Sequence, residues 1–323
     1  MVANAYGNYE VLELKEVEIP QPKENEVLVQ IHASSATRAD TMMLSGKPYF
    51  ARLFVGLKKP KHNIPGTGFA GKIVSVGEKV SKFKMGEPVF GETTLGFSTN
   101  AEYVAVSENG VILHKPDNLS FADAAAFCDG PLTSINFLKE LGKIKPGQKV
   151  LINGAAGSLG TAGIQLAKFY GAEVSGVCSP QNIGMVKSLG ADHVIDYHKV
   201  DFTTSKEQYD LIYDTVGKSS FNKSKKVLSK NGSYISPVLK LPLLLQMIRT
   251  SISGSKKAKF AASGLKSEDE LRKLLQELLG IFKEGKLKMV IDRQYPLEKL
   301  AQAHRHISTG HKKGNVVIIP IVD

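Results

Sequence analysis

The chain has 323 residues, which is long for a single hydrophobic core and predicts two domains. Hydrophobic residues make up 42% of it and charged residues 23%, and no tract is polar or repetitive enough to stay disordered. The formal net charge of +11 would suit nucleic acid, an acidic membrane surface or a polyanionic cofactor, but the lysines occur as scattered pairs and no tryptophan is present to stack bases, which disfavours a dedicated nucleic-acid function.

Cysteine content and hydropathy limit the cellular compartments in which the chain is expected. Cys128 and Cys178 have no C-x-x-C spacing, so neither a disulfide framework nor a structural zinc site is predicted. The first residues carry acids and lack an apolar core of signal-peptide length, which favours a cytoplasmic location. The most apolar stretch, residues 238–252, is shorter than the roughly 20 residues that span a bilayer, so we expect no membrane partner and a helix that is buried or faces a dimer partner.

Residues 11–116 contain short apolar alternations separated by turn signals. The strands predicted there are EVLVQIHA, GFAGKIVSVG, EPVFGE and AEYVAV, and closely spaced glycines punctuate them. This spacing is typical of the turns and bulges of a small barrel. We therefore predict a compact β-rich domain without a long helix.

From Lys149 onward, apolar strands alternate with helical segments. The segments are, in order, KVLING, a helix through IQLAKFY, AEVSGVC, a helix through MVKSLG, HVID, YDLIYDTVG, GSYISPV and a sixth strand at KAKFAAS. This alternation implies a parallel sheet with right-handed crossovers. The predicted fold class is therefore α/β, with a β-rich domain and a doubly wound parallel sheet.

The clearest helix of the chain follows the sixth strand. Ser267 and Glu270 form a capping-box signature, and an apolar stripe follows on one helical face: Leu271, Leu274, Leu275, Leu278, Leu279 and Phe282. We interpret this stripe as core. The tail returns to strand, helix and strand with KMVIDRQY, LEKLAQAHRHI and GNVVIIPI, and we expect it to rejoin the first domain.

A glycine-rich motif indicates the cofactor. KVLINGAAGSLGTAGIQLAK places Gly154, Gly157 and Gly160 between an apolar strand and an apolar helix. Glycines let the backbone turn tightly and approach a pyrophosphate, and the N–H groups and dipole of the following helix attract its charge. A plain strand-to-helix turn is the alternative, but three spaced glycines exceed what a turn requires. We therefore predict that the bend from Ala155 to Gly160 holds a dinucleotide.

The end of the second strand selects between NADH and NADPH, because an NAD enzyme needs an acid there to bind the ribose diol. In this chain the strand ends at Ser179 without a carboxylate. A carboxylate would repel a 2′-phosphate, whereas serine can donate to it, and Lys187 and Tyr197 follow closely enough to contribute. The predicted cofactor is therefore NADP(H).

Taken in order, these segments resemble the zinc-free quinone oxidoreductase (zeta-crystallin-like) branch of the medium-chain dehydrogenase/reductase superfamily. The matching segments include EVLELKEVEIPQPKENEVLVQIHA, IPGTGFAGKIVSVGEKV, NGAAGSLGTAGIQLAK, LGADHVIDY, YDLIYDTVG and GHKKGNVV. The resemblance implies a GroES-like catalytic domain over residues 1–120, completed by 264–323, and a Rossmann NADP-binding domain over 121–263. It further implies an active cleft between them and a homodimer paired through the Rossmann sheet edge.

Two departures from zinc-bearing members of the superfamily concern metal content. Those members have a cysteine in the stretch occupied in this chain by SSATRAD, and Gly-His-Glu where this chain reads Gly66-Thr67-Gly68. The cysteine-rich lobe for structural zinc is also missing, and the eight histidines are scattered. Four soft or imidazole ligands cannot be assembled from what remains, so we expect no metal.

The resemblance also implies cofactor-binding residues. Thr133 is placed near the nicotinamide, and Ser179 and Tyr197 are placed at the 2′-phosphate, although the basic residue that many relatives carry near Gln181 is absent. The pyrophosphate and the remaining cofactor contacts are assigned to Gly157, Ser158, Leu159, Gly160, Val216 and Asn315.

The catalytic positions differ from those of the quinone reductases. Thr37 stands where they often have asparagine, and Met42 where they have tyrosine. Thr37 can still hydrogen-bond a ribose or carbonyl oxygen, but Met42 cannot donate a proton. Tyr49 is the substitute candidate for the general acid, with an aromatic ring packed under its loop as the alternative. Asp40 and Asp214 are expected to organise turns.

Without a metal, hydrogen bonds alone must stabilise the anion that hydride transfer leaves. The alkoxide from a ketone is far more basic than the phenolate-like or enolate oxygen from a quinone or enone. The difference corresponds to roughly 8 kcal/mol, of which one hydrogen-bond donor recovers about 3 to 4 kcal/mol. The sequence therefore favours NADPH-dependent reduction of a quinone or α,β-unsaturated carbonyl. The alternatives are a zinc-independent alcohol dehydrogenase or enoyl-thioester reductase, and a catalytically silent NADPH-binding protein that contacts RNA or an acidic partner.

Overall fold

The structure is a computed structural model that describes residues 1–47, 49 and 52–320, with residue 54 described by its backbone only. The chain divides into two compact units. Unit 1 comprises Met1–Asp129, Gly264–Gln276 and Ile291–Asp323, and unit 2 comprises Gly130–Ser263 and Glu277–Val290. The domain boundaries at residues 120 and 263 stay a prediction.

The strands and α-helices are numbered in chain order. The described residues form the strands β1 (Val2–Ala3), β2 (Leu12–Glu13), β3 (Glu26–Ala36), β4 (Gly68–Val76), β5 (Pro88–Glu92), β6 (Tyr103–Ser107), β7 (Val111–His114), β8 (Lys149–Asn153), β9 (Glu173–Cys178), β10 (His193–Asp196), β11 (Tyr209–Asp214), β12 (Leu228–Ile235), β13 (Lys257–Lys259), β14 (Ile291–Pro296) and β15 (Asn315–Ile319). They form the α-helices α1 (Arg38–Ser45), α2 (Arg52–Val55), α3 (Phe121–Phe127), α4 (Gly130–Ile135), α5 (Ser158–Phe169), α6 (Ile183–Ser188), α7 (Phe221–Ser224), α8 (Leu241–Ile252), α9 (Glu268–Lys283) and α10 (Leu300–Ser308).

Unit 1 is built on a seven-stranded sheet. Its order is β14-β15-β3-β4-β5-β7, with β6 paired to β3, and only the β14–β15 pair is parallel. Alternation in β3 buries Val27, Val29 and Ile31 in one apolar cluster with residues of β4 and β6, because successive side chains of a strand point to opposite faces. The predicted β-rich domain is confirmed, and the returning tail supplies β14 and β15 to it.

Unit 2 contains a six-stranded sheet in the order β10-β9-β8-β11-β12-β13, and all its pairs are parallel. Numbered within the unit, this is the order 3-2-1-4-5-6 of a doubly wound dinucleotide-binding sheet. The chain reverses its winding between β8 and β11, where Asn153 and Asp214 are partners in register. The predicted Rossmann architecture and its sixth strand are therefore confirmed.

Two helices test the sequence interpretation. The capping box of α9 is confirmed, because the Ser267 hydroxyl accepts the Glu270 amide and the Glu270 carboxylate accepts the Ser267 amide. The apolar stretch 238–252 forms α8, of which only Leu243 and Thr250 are buried, so the helix is not buried within the single chain, and its contact with a dimer partner stays a prediction. No helix in the described part of the chain combines the length and apolarity that crossing a bilayer requires.

Candidate functional site

A sharp bend connects β8 to α5 in unit 2. Gly157 is the N-cap residue and Ser158 begins the helix. The bend follows the carboxyl end of β8, at the point where the strand order reverses between β8 and β11. Ligands of doubly wound sheets bind in the crevice at this position.

The three glycines of the bend have different roles. Gly154 has a φ of +82°, and a Cβ there would lie 2.6 Å from Oγ1 of Thr215. A Cβ on Gly160 would lie 2.2 Å from the carbonyl oxygen of Gly154. A Cβ on Gly157 would meet no atom closer than 3.7 Å. The fold therefore requires glycine at 154 and 160, whereas Gly157 leaves open space beside the helix N-terminus.

The backbone N–H groups of the bend divide into paired and available donors. The amide of Ala155 donates to the carbonyl of Val177 at 3.0 Å, and that of Gly157 donates to Gly154 at 3.1 Å. The amides of residues 158–160 lie in the first turn of α5, where no intrahelical acceptor exists. These three donors can hold a pyrophosphate. The amides of Ala155 and Gly157 are already paired and cannot bind the pyrophosphate, so these two residues could contribute only to the shape of the predicted site.

The first turn of α4 packs beside this bend. A Cβ on Gly130 would lie 2.4 Å from the carbonyl oxygen of Ser158, and the Ser134 hydroxyl donates to the carbonyl of Leu159 at 2.8 Å. Thr133 lies between these contacts in sequence and is half-buried. The structure thus brings Thr133 to the bend, and its contact with the nicotinamide stays a prediction.

The end of β11 forms another wall of the bend. The Thr215 hydroxyl donates to the carbonyl of Asn153 at 2.8 Å. Val216 lies directly beside Gly154, because a Cβ on that glycine would come within 2.7 Å of Cγ1 of Val216. The structure therefore gathers Val216 with the predicted pyrophosphate residues.

Asp214 organises the turn after β11, as predicted. Its fully buried carboxylate accepts hydrogen bonds from Asn153 Nδ2 at 2.9 Å, the Gly217 amide at 3.0 Å and the Tyr234 hydroxyl at 2.6 Å. These bonds connect β8, β11 and β12 around the bend. Asp214 thus holds the walls of the candidate site in place.

Ser179 and Tyr197 follow neighbouring strands, β9 and β10. The Tyr197 amide donates to the carbonyl of Cys178 at 3.3 Å, which brings the two predicted 2′-phosphate residues together. The buried Ser179 hydroxyl accepts from Asn182 Nδ2 at 3.0 Å and keeps its own proton for another acceptor. Sequence reasoning missed Asn182, although its S-x-x-N spacing after a strand is a recognisable signal for a hydrogen-bonded turn.

Two charged residues near this strand end have opposite implications for a 2′-phosphate. Lys187 is exposed in the last turn of α6, whereas Ser179 precedes the helix, so Lys187 lies at the far end of α6 from Ser179. Burial and the carboxylate of Asp196 raise the pKa of Cys178 to about 11, which places a negative charge close to the end of β9. No sequence signal indicated that this acid would lie there.

In unit 1, Thr37 begins α1 in a reciprocal cap. Its Oγ1 accepts the Asp40 amide at 3.1 Å, and Asp40 Oδ2 accepts the Thr37 amide at 2.7 Å. Both residues are buried. The expectation that Asp40 organises a turn is confirmed. The Thr37 hydroxyl also bonds the Asp40 side chain, which lowers the pKa of Asp40 against the larger effect of burial.

Three acids share the interior around this cap. Burial raises the pKa of Asp40 to about 7 and that of Glu92 to about 8, and the carboxylate of Asp129 acts in the same direction on both. Thr67 forms a side-chain hydrogen bond with Glu92. Burial lowers the pKa of Lys312, which Asp129 partly offsets. We call Asp40, Glu92, Asp129 and Lys312 the acid cluster; within it, Asp40 is partly protonated and Glu92 mostly protonated at neutral pH.

Sequence reasoning missed Glu92, Asp129 and Lys312. They come from the end of β5, the residue after the α3 C-cap and the loop before β15. No local motif connects them, because only the topology of unit 1 brings these three segments together. Of the acid cluster, only Asp40 carried a local signal, its spacing from Thr37.

Tyr49 does not pack in a core. Its side chain is 67% exposed, and its ring centroid lies 5.0 Å from the guanidinium carbon of Arg52. The alternative of an aromatic ring packed under the loop is therefore wrong. Residues 48, 50 and 51 beside it lie outside the described residues. The role of Tyr49 as general acid stays a prediction.

Asn315 belongs to unit 1, unlike the other predicted cofactor residues. It begins β15, pairs in register with Ile291 and is 2% exposed. Its contact with the cofactor stays a prediction.

A zinc ion of the superfamily type does not fit the donors present. Thr67 stands at the histidine position and bonds Glu92 instead. Burial, with Glu92 and Asp129, raises the pKa of Cys128 well above its usual value, so its sulfur is a thiol and not the thiolate that binds metal. Across the described ranges, no three His, Cys, Asp or Glu side chains are grouped to hold a metal ion.

Two family models match the sequence. The alcohol dehydrogenase GroES-like domain matches residues 23–117, which lie in unit 1. The model called zinc-binding dehydrogenase matches residues 189–318. That name describes the family model, whereas this chain has Thr67 where the zinc-bearing members have histidine.

Curated relatives align over nearly the full chain. The 2-methylene-furan-3-one reductase of Solanum lycopersicum is 34% identical over 98% of this chain and 77% of its own length. The NADPH-dependent alkenal/one oxidoreductase of Arabidopsis thaliana is 30% identical over 99% and 79%. The quinone oxidoreductase of Sus scrofa is 31% identical over 96% and 93%.

Solved structures of quinone oxidoreductases are similar to this chain over nearly its full length. The quinone oxidoreductase of Coxiella burnetii superposes with a TM-score of 0.88 at 28% identity, over 99% of this chain and 98% of that one. The Escherichia coli quinone oxidoreductase complexed with NADPH superposes with a TM-score of 0.85 at 25% identity, over 99% of both chains.

Proposed function

Because the chain belongs to the quinone oxidoreductase branch of the medium-chain dehydrogenase/reductase superfamily, we propose that it is an NADPH-dependent oxidoreductase of quinones or α,β-unsaturated carbonyls that acts without a metal. The bend of unit 2 carries this proposal. Three amides of the first turn of α5, at residues 158–160, have no acceptor within the helix and adjoin a space that the absent side chain of Gly157 leaves open. NADPH is also the cofactor named for the Arabidopsis relative and bound in the Escherichia coli structure.

The residues of unit 2 would hold the cofactor in two places. The amides of residues 158–160 would bind the pyrophosphate, with Val216 and Thr133 as neighbouring walls. The Ser179 hydroxyl would donate to the 2′-phosphate, with Tyr197 beside it. NADPH, when bound, supplies the hydride.

The residues of unit 1 would manage the oxygen and the proton. The Thr37 hydroxyl would donate to the substrate oxygen as negative charge develops there. Asp40 forms a side-chain hydrogen bond with Thr37, and its raised pKa of about 7 keeps part of it protonated at neutral pH. A proton could therefore pass from the Asp40 carboxyl to Thr37 Oγ1 while Thr37 releases its own to the substrate. The acid cluster would then replace the proton donor that Met42 cannot provide.

Substrate profiling tests the proposal and separates the alternatives. The purified protein, with its metal content measured, is assayed for NADPH oxidation with an ortho-quinone, a 2-alkenal, an enoyl thioester and a saturated ketone. We expect turnover of the quinone or alkenal and little of the ketone. Turnover of simple alcohols or ketones without conjugated acceptors would favour an alcohol dehydrogenase, and NADPH binding without any turnover would favour the catalytically silent protein.

Assembly and location belong to the proposal as well. β13 is the terminal strand of the unit 2 sheet, so its outer edge has no partner strand among the described residues. We propose that two copies pair through this edge. The measured mass should then be twice 35.0 kDa, and a mass of 35.0 kDa at all concentrations would contradict pairing. A cytoplasmic location stays a prediction, tested by fractionation.

A further inference from the structure

The net positive charge of the chain is confined to one segment. Between Asp214 and Glu268 there are eleven lysine or arginine residues and no aspartate or glutamate, so this segment alone carries the whole net charge of +11. The rest of the chain is neutral, with 31 residues of each sign. The basic residues form only scattered pairs in the sequence, but no acidic residue lies among them.

The same segment contains α8, which has two apolar faces. Its inner face packs Leu243 into the core of unit 2, and Thr250 Oγ1 accepts the Ala258 amide at 3.1 Å. The outer face carries aliphatic residues at positions i, i+3, i+4, i+7 and i+11: Leu241, Leu244, Leu245, Ile248 and Ile252. Their side chains are 39% to 82% exposed. A continuous apolar stripe exposed on one face of a helix predicts that a partner covers it.

Basic residues lie near both ends of this helix. Lys240 is the N-cap residue of α8, and Arg249 lies in its last turn. The Lys240 ammonium donates to the carbonyl of Gly217, which brings Lys218 close to the helix start. The Lys256 ammonium donates to the carbonyl of Lys225, which brings Lys225 close to the segment that follows the helix end. We call the five aliphatic residues and these basic residues the α8 surface.

The chemistry of the α8 surface selects its partner. Protein interfaces are enriched in aromatic residues and arginine and poor in lysine, whereas ten of the eleven cations of this segment are lysines and the apolar residues are aliphatic. An aliphatic stripe bordered by lysines is typical of a helix that lies in the headgroup layer of an anionic membrane.

We propose that the α8 surface docks on a lipid bilayer that contains anionic lipid, with α8 parallel to the membrane plane. The aliphatic stripe enters the headgroup layer and the lysines contact the phosphates. This departs from the expectation of no membrane partner, which considered only whether residues 238–252 could span a bilayer. It is compatible with pairing through β13, because a two-fold axis perpendicular to the shared sheet would place both α8 helices on the same side.

A single tryptophan provides the first test. The chain has none, so Leu245→Trp introduces the only indole, at a position that is 57% exposed. Its emission should shift to shorter wavelength with vesicles of phosphatidylcholine and phosphatidylglycerol, but not with phosphatidylcholine alone. Leu57→Trp, at a 68% exposed position of unit 1, is the control and should not shift. A shift without vesicles that grows with protein concentration would show instead that a second copy covers α8, and would overturn the proposal.

Co-sedimentation of the full chain with the same vesicles provides the second test. Leu245→Gln/Ile248→Gln should lower the partition coefficient about tenfold or more, and Lys225→Glu/Lys256→Glu should do likewise. Lys58→Glu/Lys59→Glu makes the same change in net charge in unit 1 and should have a small effect. Unchanged melting temperatures exclude misfolding. Equal loss in both charge variants, equal binding to neutral vesicles, or binding to RNA but not to vesicles would overturn the proposal.

Discussion

Asp40 Oδ2 accepts the backbone N–H of Thr37 at 2.7 Å, while Thr37 Oγ1 accepts the N–H of Asp40 at 3.1 Å. The two residues thus fix each other at the start of α1. A carboxylate at a helix N-terminus with a hydrogen bond normally has a lowered pKa. In this cap, burial and Asp129 outweigh those effects and raise the pKa of Asp40 to about 7. The cap is therefore also a site that exchanges a proton near neutral pH.

The first prediction concerns the proton of Asp40. Asp40→Asn keeps an oxygen that can accept the Thr37 amide but removes the exchangeable proton. We expect kcat with a quinone or enone to fall about 10- to 100-fold, with little change in melting temperature. Wild-type activity should fall as pH rises through about 7, because the protonated form is the donor, and this limb should disappear in the variant.

Thr37 variants provide the control for this prediction. Thr37→Ser keeps the hydroxyl and should retain most of the activity, whereas Thr37→Val should lose it. A kcat and pH profile of Asp40→Asn equal to those of the wild type would show that the proton comes from elsewhere, with Tyr49→Phe as the next variant to assay.

The second prediction links the acid cluster to stability. The folded-state pKa values of Asp40 and Glu92 lie above their unfolded values, so the folded chain binds protons that the unfolded chain has lost. Their contribution is full at low pH and is lost as pH rises to about 7 and 8. His304 acts oppositely, because burial lowers its pKa to about 4 and stability falls below the usual histidine value of about 6.5.

Above pH 6.5 the histidine no longer titrates, but the lowered pKa values of Lys312 and the N-terminal amine act against the two acids, so Glu92→Gln serves as the reference. In urea unfolding, the free energy of unfolding of the wild type relative to that of Glu92→Gln should fall by roughly 2 kcal/mol between about pH 6.5 and 8.5, since one pKa unit corresponds to about 1.4 kcal/mol. Parallel pH dependences of the two proteins would contradict the raised pKa assigned to Glu92.

The third prediction separates folding from cofactor binding in the glycine bend. Gly160→Ala puts a methyl group 2.2 Å from a backbone oxygen, so we expect a melting temperature lower by several degrees. Gly157→Ala has open space, so its melting temperature without cofactor should equal that of the wild type. Its NADPH dissociation constant should nevertheless rise about tenfold or more, because the methyl occupies space beside the phosphate donors. Unchanged NADPH binding by Gly157→Ala in calorimetric titration would place the pyrophosphate elsewhere.

Local signals in the sequence were sufficient for unit 2. The strands of the doubly wound sheet and most of its helices have their own periodicity, and the bend has its glycines three positions apart in one short stretch, Gly154–Gly160. The connection rules of parallel sheets then order the strands without further information. The sequence could also identify the cap of Thr37 and Asp40, because the two residues are three positions apart.

Properties that depend on distant segments were not predictable in this way. Glu92, Asp129 and Lys312 meet only because β5, α3 and the loop before β15 converge in unit 1, and a pKa depends on that burial. The apolar content of α8 is visible in the sequence, but which of its faces the core covers depends on where β13 and Leu243 lie. The pairing of the Ala155 amide with Val177 likewise depends on how β8 and β9 lie side by side.

The fourth prediction concerns the residues that would bind the 2′-phosphate of NADPH. Ser179→Asp puts a carboxylate at the position where an NAD enzyme has one, beside the existing negative charge of Asp196. We expect the NADPH dissociation constant to rise at least about tenfold, because the new charge repels the 2′-phosphate, while NADH binding is unchanged or tighter. Ser188→Asp, an exposed serine on α6, is the matched control and should alter neither. Lys187→Ala tests whether the far end of α6 contributes to phosphate binding. An equal loss of NADPH affinity in Lys187→Ala and Ser179→Asp would show that the lysine reaches the phosphate despite its position. If Ser179→Asp leaves the ratio of the NADPH and NADH dissociation constants unchanged, the 2′-phosphate does not lie at the end of β9.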